Sequence, residues 1–477
     1  MQRTSAPAAF LLATAAILSL PAGVAGQASR PNVLFLTADD LNYDSLGVTG
    51  CDIPGITPNI DRFAAEGMRF TKAFVTVAVC QPSRTVMMTG RYPLHSGAVG
   101  FGPINPGVPT FPGQTRAAGY LNGIFGKENH LRPVEAFCWD TFVPGEELGL
   151  GRDPDKYYRK ARAFFRTAKA AGRPFFLLAN SHDPHRPFAG SAQERQDEIR
   201  SGVAYPGVRR TIRPDEVKVP GFLPNLADVR KEVAEYFTSV HRLDETIGAL
   251  LRALDDEKLR ENTIVVFLSD HGMSFPFSKS NCYRTSNHTP LMVRWPGVVA
   301  PGSVEEGHYV SAIDFMPTLL DALGLAAPDG MDGRSFVPLL KGGMQAGRNQ
   351  VFTVFHQTVG QREYEMRCVQ NDRFAYIFNG WSNGTRQYQS EAQSGLTWDA
   401  MVEAGKTNDT IARRVRFFTY RTPEEFYNGE LDPNQKKNLI GSGTYRTALA
   451  GLRRDMLRIL GEEGDPQLTA LAARLNR

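Results

Sequence analysis

The 477-residue sequence has no internal repeat, no low-complexity tract and no coiled-coil or collagen-like pattern. These absences argue against a fibrous or repeat-built structural protein. An excess of charge is also missing, because 54 Lys and Arg residues stand against 50 Asp and Glu residues, a net charge of +4. This near-equal number of positive and negative charges gives no reason to expect a nucleic-acid partner, although it is compatible with a polyanionic glycan. The chain is long enough for one large α/β domain or for two to three smaller ones.

Long apolar runs are scarce as well. After residue 28 no stretch approaches the roughly 20 apolar residues that cross a bilayer, so we expect no membrane span in the mature chain. The first residues differ, since Arg3 precedes an apolar run over residues 8–20 and small residues follow it. This pattern predicts a signal peptide over residues 1–28, cleaved near Ala25, and a periplasmic or secreted protein. A retained anchor is the alternative interpretation.

Cysteine is rare, and no two cysteines are separated by two residues. The five are Cys51, Cys80, Cys138, Cys282 and Cys368. Without a Cys-x-x-Cys pair there is no pattern for a structural zinc site or a thioredoxin-like redox site. If Cys80 is modified, the other four allow three disulfide pairings in an oxidising compartment, and the sequence does not choose among them.

Residues 79–91 read Val-Cys-Gln-Pro-Ser-Arg-Thr-Val-Met-Met-Thr-Gly-Arg. This stretch resembles the Cys-x-Pro-Ser-Arg and Thr-Gly-Arg motif of type I sulfatases. In that family the cysteine is oxidised after translation to formylglycine, whose hydrate attacks sulfur. The resemblance therefore implies that Cys80 becomes the catalytic nucleophile and that a formylglycine-generating maturation enzyme is a partner of this protein.

Elementary chemistry agrees with a modified Cys80. A thiolate is a soft ligand that suits a carboxylate-rich calcium or magnesium site poorly, whereas an aldehyde hydrate offers two hard oxygens. Pro82 fits the first turn of a helix, which places residue 80 at the positive end of the helix dipole. Arg84 can then reach a sulfate or a metal-bound oxygen. The competing interpretation is an inert buried cysteine.

Two pairs of candidate metal ligands follow continuous apolar runs. Asp39 and Asp40 come after residues 33–37, and Asp270 and His271 come after residues 263–268. Both runs predict central, buried parallel strands, and α/β sheets bind ligands beyond the carboxyl ends of such strands. The resemblance implies that these four residues, with residue 80, hold one divalent cation. Calcium is the favoured ion, magnesium and manganese are alternatives, and the His271 imidazole leaves the choice open.

The resemblance also assigns the cations and imidazoles of the site. Lys127 and Lys279 are predicted to balance charge on the sulfuryl oxygens, and His182 to contact the scissile sulfate and assist the leaving group. The family motif Gly-Lys-x-His has its histidine one residue late here, at His130, so we expect a bulge to bring His130 to the formylglycine hydroxyl. Asn129 is the alternative for that place. His185 and Arg186 are equally compatible with substrate contact and with a structural role.

The resemblance implies an alkaline-phosphatase-like α/β fold with a central mixed, mostly parallel sheet flanked by helices. We predict a catalytic domain over residues 29–350 and a C-terminal subdomain over 351–477, with an antiparallel sheet and a terminal helix. Residues 228–257 form a long amphipathic pattern in which Asp244 is interpreted as a helix-face charge. Thr57 is predicted to cap the helix that follows it.

Finer details point towards enzymes similar to N-sulfoglucosamine sulfohydrolase, among them the His-Asp-Pro-His-Arg stretch from His182 to Arg186 and the Phe-Pro pair at Phe275. They predict a sulfatase acting on sulfate esters or sulfamates of sulfated amino sugars. A formylglycine-dependent phosphonate or phosphodiester hydrolase, an O-sulfatase for another sulfated polysaccharide, and a catalytically silent glycan-binding protein are the alternatives. Intact Cys80, Arg84 and aspartates argue against the last of these.

Overall fold

The computed structural model describes Gln2 and residues 30–476. Apart from Gln2, the predicted signal peptide lies outside the described residues, so the structure leaves that prediction as it stands. In the described part of the chain, no helix combines the length and apolar character needed to cross a membrane.

Strands and helices are interspersed along the described part of the chain. The strands are β1 (Asn32–Ala38), β2 (Met68–Phe70), β3 (Ala73–Phe74), β4 (Leu121–Phe125), β5 (Thr141–Val143), β6 (Phe175–Asn180), β7 (Thr263–Ser269), β8 (Leu291–Arg294), β9 (Ser303–Glu305), β10 (Val310–Ser311), β11 (Val351–Gln357), β12 (Glu363–Gln370), β13 (Phe374–Asn379) and β14 (Glu424–Asn428). The helices are α1 (Pro58–Ala65), α2 (Cys80–Thr89), α3 (Pro93–Ser96), α4 (Phe111–Ala117), α5 (Pro154–Ala170), α6 (Ala192–Ser201), α7 (Ala227–Asp256), α8 (Arg284–Asn287), α9 (Phe315–Ala322), α10 (Val337–Leu340), α11 (Leu396–Ala404), α12 (Asp409–Tyr420), α13 (Arg446–Glu462) and α14 (Gln467–Leu475).

The central sheet has eight strands in the order β5-β4-β6-β1-β7-β8-β2-β9. The five strands from β5 to β7 are parallel, and β8 runs antiparallel to both of its neighbours, β7 and β2. Every residue of β1, β6 and β7 is buried, as continuous apolar runs require of strands covered on both faces. The predicted mixed, mostly parallel sheet is confirmed. Its parallel centre matters for function, because neighbouring parallel strands all end at one edge.

A second sheet of four antiparallel strands, β11-β12-β13-β14, begins at Val351, and α13 and α14 follow it. An isolated parallel bridge between Val77 and Val354 connects it to the segment that leads into α2. The predicted antiparallel sheet is therefore present near the C-terminus. The exact division at residue 350 stays a prediction, since two sheets alone do not fix a domain boundary.

Asp244 on α7 does more than the sequence suggested, because it is fully buried and caps another helix. Its carboxylate accepts hydrogen bonds from the backbone N–H groups of Asn59 and Ile60 in the first turn of α1, at 3.2 and 2.8 Å. Thr57 occupies the N-cap position, yet its side chain makes no capping hydrogen bond and instead accepts one from Gly47 N. The predicted N-cap position of Thr57 is confirmed, but its side chain does not cap the helix, because a carboxylate from a distant helix accepts from the N–H groups of the first turn.

Each of the five cysteines is a free thiol in the described chain. Cys80, Cys282 and Cys368 are buried, whereas Cys51 and Cys138 are partly accessible. The question of which disulfide pairing holds therefore does not arise in this structure.

His95 connects the region around α2 to the C-terminal helices and gives the fold a pH-dependent contact. Its Nδ1 lies 2.8 Å from Asp332 Oδ2 and its Nε2 lies 2.9 Å from the backbone oxygen of Glu463. Both partners are acceptors, so only the doubly protonated ring satisfies both. Burial alone would lower the pKa of His95, but the hydrogen bonds to Glu463 and Asp332 outweigh it and raise the pKa above its ordinary value.

We therefore expect His95 to stabilise the fold by about 1 kcal/mol at low pH, and we expect this contribution to fall as pH rises. Because the folded-state pKa is raised, the contribution is complete below the unfolded pKa of about 6.5 and is lost as pH passes the folded-state value. The measurement is the thermal unfolding midpoint of the wild type minus that of His95→Gln, at pH 6 and at pH 9. A difference that is equal at both pH values would contradict this account.

Candidate active site

The carboxyl ends of four neighbouring parallel strands bring the candidate site residues to one edge of the central sheet. In sheet order, Lys127 lies two residues beyond β4, His182 two beyond β6, Asp39 directly after β1, and Asp270 directly after β7. Asp40 and His271 follow the two aspartates. Positions far apart in the chain therefore converge at one edge, as the strand-end patterns predicted.

Cys80 is the first residue of α2, a helix in which all ten residues are buried. The N-cap residue, Val79, provides no side-chain cap, so the positive end of the helix dipole lies at Cys80. Cys80 Sγ lies 3.3 Å from His271 Nε2. Burial is the main reason that the pKa of the Cys80 thiol is raised well above its usual range, and Asp39 and Asp270 raise it further. An unmodified thiol here stays protonated and is a weak nucleophile.

Ligand atoms of Asp39, Cys80, Asp270 and His271 all lie within 4.8 Å of one another, which is close enough to share one metal ion. Within the described chain, both carboxylate oxygens of Asp39 and Oδ1 of Asp40 are buried and complete no hydrogen bond of ordinary geometry, although the ammonium groups of Lys127 and Lys279 lie beside them. Burial raises the pKa of Asp40 and of Asp270 to about 7. Clustered buried carboxylates are costly unless nearby positive charge neutralises them, and their hard oxygens are the ligands that calcium and magnesium prefer. The residues present therefore fit a divalent cation.

Arg84 connects three of the strands that carry the site. Its guanidinium donates to Thr37 Oγ1 at 2.8 Å, to Asn180 Oδ1 at 2.6 Å and to Asp270 Oδ2 at 2.8 Å, and it lies 3.7 Å from Asp39 Oδ1. Arg84 is therefore held among the candidate metal ligands. The guanidinium lies beside the candidate cation site, where it orients Asp270, and it does not point into solvent.

Lys127 points into the site from a left-handed backbone conformation, with φ of 53°. Its ammonium forms an ion pair with Asp39 Oδ2. Although burial works against ionisation of Asp39, Lys127 and the other nearby cations hold the pKa of this carboxyl well below its usual range. A left-handed lysine is strained by about 1 kcal/mol, and such strain is typical of residues that the surrounding structure fixes for function.

His130 reaches the site through a short 3-10 turn, Glu128–His130, and not through a β-bulge as the sequence suggested. Its Nδ1 is buried and finds no hydrogen-bond partner within the described residues, so it is available to a bound group. Burial, reinforced by Lys127 and Arg84, lowers the pKa of His130 well below its usual range. Asn129, the alternative for this place, is exposed and donates to Glu128 Oε1. The turn therefore favours His130.

His182 is oriented differently from the expectation. Its Nε2 accepts a hydrogen bond from the backbone N–H of Lys127 at 3.2 Å, and its ring lies against the backbone of Gly145 and Gly151. A side chain on either glycine would overlap this ring. His182 therefore supports the strained backbone of Lys127, and the same nitrogen is not free to contact a sulfate.

His185, for which the sequence left the role open, is the histidine of this loop that faces Cys80. A ligand atom of His185 lies within 4.8 Å of those of Asp40 and Cys80. Its Nδ1 donates to the backbone oxygen of Arg186 at 2.6 Å, which leaves Nε2 directed at the site. The repeated histidines of this loop are the only sequence signal, since their spacing does not tell which ring faces inward.

Lys279 and Glu391 complete the inner charge cluster. The buried Lys279 ammonium lies 2.9 Å from Asp40 Oδ1 and 2.9 Å from Glu391 Oε2. The structure thus brings Lys279 into the cluster beside Asp40. Glu391 was not identified from the sequence, because no motif surrounds it and it is separated from Lys279 by more than a hundred residues.

Comparison with known proteins decides the family. Residues 31–325, more than half of the chain, match the family model "Sulfatase". This chain belongs to the sulfatase family. Residues 270–382 of this sulfatase also match "N-sulphoglucosamine sulphohydrolase, C-terminal". The chain is similar to human N-sulphoglucosamine sulphohydrolase, with 29% identity over 93% of this chain and 92% of the relative. The predicted resemblance, and an enzyme of the sulfuric ester hydrolase class, are confirmed.

Solved structures agree on the fold. A protein in complex with its substrate D-glucosamine-2-N,6-O-disulfate superposes with a TM-score of 0.68 at 18% identity, covering 92% of this sulfatase and 99% of that chain. A phosphonate monoester hydrolase of Agrobacterium radiobacter superposes with a TM-score of 0.67 at 19% identity, and the match covers 91% of this chain and 96% of that chain. These likenesses confirm the alkaline-phosphatase-like fold, and at such identities they show the fold alone.

Proposed function

We propose that this sulfatase releases sulfate from sulfated amino sugars of the N-sulfoglucosamine type, at a sulfamate or a sulfate ester. The observation that carries the proposal is the cluster of Cys80, the hard ligands and two inward-facing lysines at one sheet edge. The similarity to human N-sulphoglucosamine sulphohydrolase over nearly the full length of both chains supports the substrate class. Catalysis then consists of binding a sulfuryl group between cations and delivering a nucleophile to sulfur.

The cation would be held by Asp39, Asp40, Asp270 and His271, with residue 80 completing the set, and calcium is the favoured ion. When present, formylglycine at position 80 would supply a hydrate hydroxyl as nucleophile, and a bound cation would supply positive charge that favours its ionised form. Arg84 orients Asp270 and adds positive charge beside it. The helix dipole of α2 favours negative charge at the same place.

The remaining residues handle the substrate. Lys127 and Lys279 bind the sulfuryl oxygens and balance the charge that develops on them. Because Nδ1 of His185 carries the proton donated to the Arg186 backbone oxygen, His185 would give a proton to the leaving group only after Nε2 takes up a second one when substrate binds. Burial lowers the pKa of His185 to about 4, and the anionic sulfuryl group of a bound substrate would raise it again. His130 Nδ1 accepts the proton of the second hydroxyl, and His182 keeps Lys127 in place.

The proposed setting of the enzyme follows from the predicted signal peptide. A periplasmic or secreted location would give it access to sulfated glycans such as glycosaminoglycans, and its degradation products would be free sulfate and the desulfated sugar. The formylglycine-generating enzyme would act on Cys80 before folding ends, because the side chain is 3% exposed in the folded chain.

A phosphonate or phosphodiester hydrolase is the second candidate. The same candidate nucleophile, cation ligands and lysines could serve such a hydrolase, and a phosphonate monoester hydrolase shares this fold. A tetrahedral phosphonate fits the same lysines, so geometry at the nucleophile does not separate the two activities. Comparing rates on an aryl sulfate and on a phosphodiester ester does so directly.

The test of the proposal is release of inorganic sulfate from N-sulfoglucosamine and from 6-O-sulfated glucosamine, with a phosphodiester ester as the third substrate. We expect sulfate from N-sulfoglucosamine, and a kcat/KM on the phosphodiester lower by at least about 100-fold. Release from the 6-O-sulfate alone would move the substrate assignment to an O-sulfatase. A preference for the phosphodiester would replace the proposal with the second candidate.

A further inference from the structure

Glu391 comes from the C-terminal part of the chain, yet it reaches the catalytic cluster. It begins a 3-10 turn, Glu391–Gln393, that is closed by a capping box between Ser390 and Gln393. Every other charged residue of the site follows a strand of the central sheet or lies on α2 or the loop after β7. Glu391 is therefore the one acidic group that the region beyond β13 contributes to the cluster among the described residues.

The contacts of Glu391 place it between the lysine and the histidine of the site. Oε2 lies 2.9 Å from Lys279 Nζ, and Oε1 lies 3.3 Å from His185 Nε2. Burial opposes its ionisation, but Lys279 and His185 outweigh that effect and hold the pKa of Glu391 well below its usual range. The group is an anion, and an ionised carboxylate only accepts hydrogen bonds.

Exposure shows which part of the cluster faces an incoming substrate. The side chains of Glu391 and His185 are each 25% exposed, whereas those of Lys279 and Asp40 are 1% and 0% exposed. Glu391 and His185 therefore line the entrance, and Lys279 and Asp40 lie behind them. The two oxygens of the Glu391 carboxylate offer about four lone-pair directions, so they can accept further hydrogen bonds besides the contacts with Lys279 and His185.

The segment around Glu391 is fixed to the catalytic region on both sides. Before it, the hydroxyl of Tyr388 donates to the backbone oxygen of Ser280, next to Lys279. After it, the buried Glu232 of α7 accepts the backbone N–H groups of Leu396 and Thr397, at 3.1 and 2.8 Å, and pairs with Arg186. An anchored carboxylate is pre-organised for recognition, since little entropy is lost when it binds.

We propose that Glu391 is a specificity-determining residue that accepts a hydrogen bond from a hydroxyl or amine of the sugar ring, next to the position that carries the sulfate. The inference rests on the proposed function and deepens it, because it names what the site recognises beyond the sulfuryl group. Glu391 selects sugars with a donor at that place and disfavours substrates with a second anion there. Aryl sulfates, which have no such donor, do not benefit from it.

The test compares Glu391→Gln and Glu391→Ala with the wild type on N-sulfoglucosamine and on 4-nitrophenyl sulfate. Loss of the Lys279 partner changes both rates, so the informative quantity is the ratio of the two kcat/KM values. We expect this ratio to fall about 10- to 100-fold, the usual effect of a charged hydrogen bond, mainly through a higher KM for the sugar. The matched control is Glu403→Gln on α11, an exposed glutamate paired with Lys406, which leaves the ratio unchanged.

An unchanged ratio, whether both rates fall equally or neither falls, would overturn the proposal, because Glu391 would then act only through Lys279. Failure of the proposed function looks different. In that case the wild type itself releases no sulfate from the sugar, before any variant is compared. Thermal unfolding of both variants checks that the overall fold is retained.

Discussion

We expect Cys80→Ala to abolish turnover, with a loss on the order of 10⁴-fold or more, because the substitution removes the proposed covalent nucleophile. We expect the fold to survive, because the one hydrogen-bond contact of Cys80 Sγ among the described residues is the 3.3 Å approach to His271 Nε2, and deletion of one buried sulfur costs about 1 kcal/mol. Sulfate release and the thermal unfolding midpoint, measured on the same preparation, give both results.

Cys51→Ala is the matched control, since Cys51 is partly accessible and lies outside the cluster. It should keep the wild-type rate. The mass of the peptide across position 80 then distinguishes an aldehyde from a thiol in the active enzyme. Turnover by Cys80→Ala, or an active wild type that carries only a thiol, would refute the assignment of residue 80 as a formylglycine nucleophile.

Lys127→Ala should lower kcat by about 100- to 1,000-fold, the typical effect of removing one donor that stabilises transition-state charge. Cation binding should not weaken. Lys127 is paired with Asp39, so its removal leaves the ligand set more negative. The measurements are kcat on N-sulfoglucosamine and the bound calcium content of the purified variant.

Lys169→Ala is the comparison for this variant. Lys169 lies near the end of α5 and donates to the backbone oxygen of Glu257, outside the cluster. Its substitution should leave kcat unchanged. A near wild-type kcat for Lys127→Ala would remove Lys127 from the mechanism, and a large loss of calcium would show that it acts on the cation site instead.

The two histidines of the β6 loop show how far sequence reasoning extends. The sequence predicts that His182 and His185 follow a buried strand, and in the structure both follow β6. It does not tell which ring faces the nucleophile, because that depends on Gly145 and Gly151, whose backbone encloses His182 and leaves His185 at the entrance. Orientation within a loop is decided by neighbours that are distant in the chain.

Asp244 and Glu391 make the same point for charges. Neither residue stands out in its local sequence, since Asp244 lies on an amphipathic helix and Glu391 lies in a polar turn. Their roles arise only when α1 and Lys279 are brought against them by the packing of other elements. No local pattern reports such a partner.

The sequence by itself determined the parallel strands, the positions of the candidate ligand pairs at their ends and the Cys80 motif, because each depends on apolar periodicity or residue type over a few consecutive positions. The tertiary structure decided which histidine faces the nucleophile, what caps α1, how Arg84 is held and that a C-terminal carboxylate joins the site. These features depend on contacts between segments far apart in the chain, and such contacts are set by packing of the whole fold and not by local pattern.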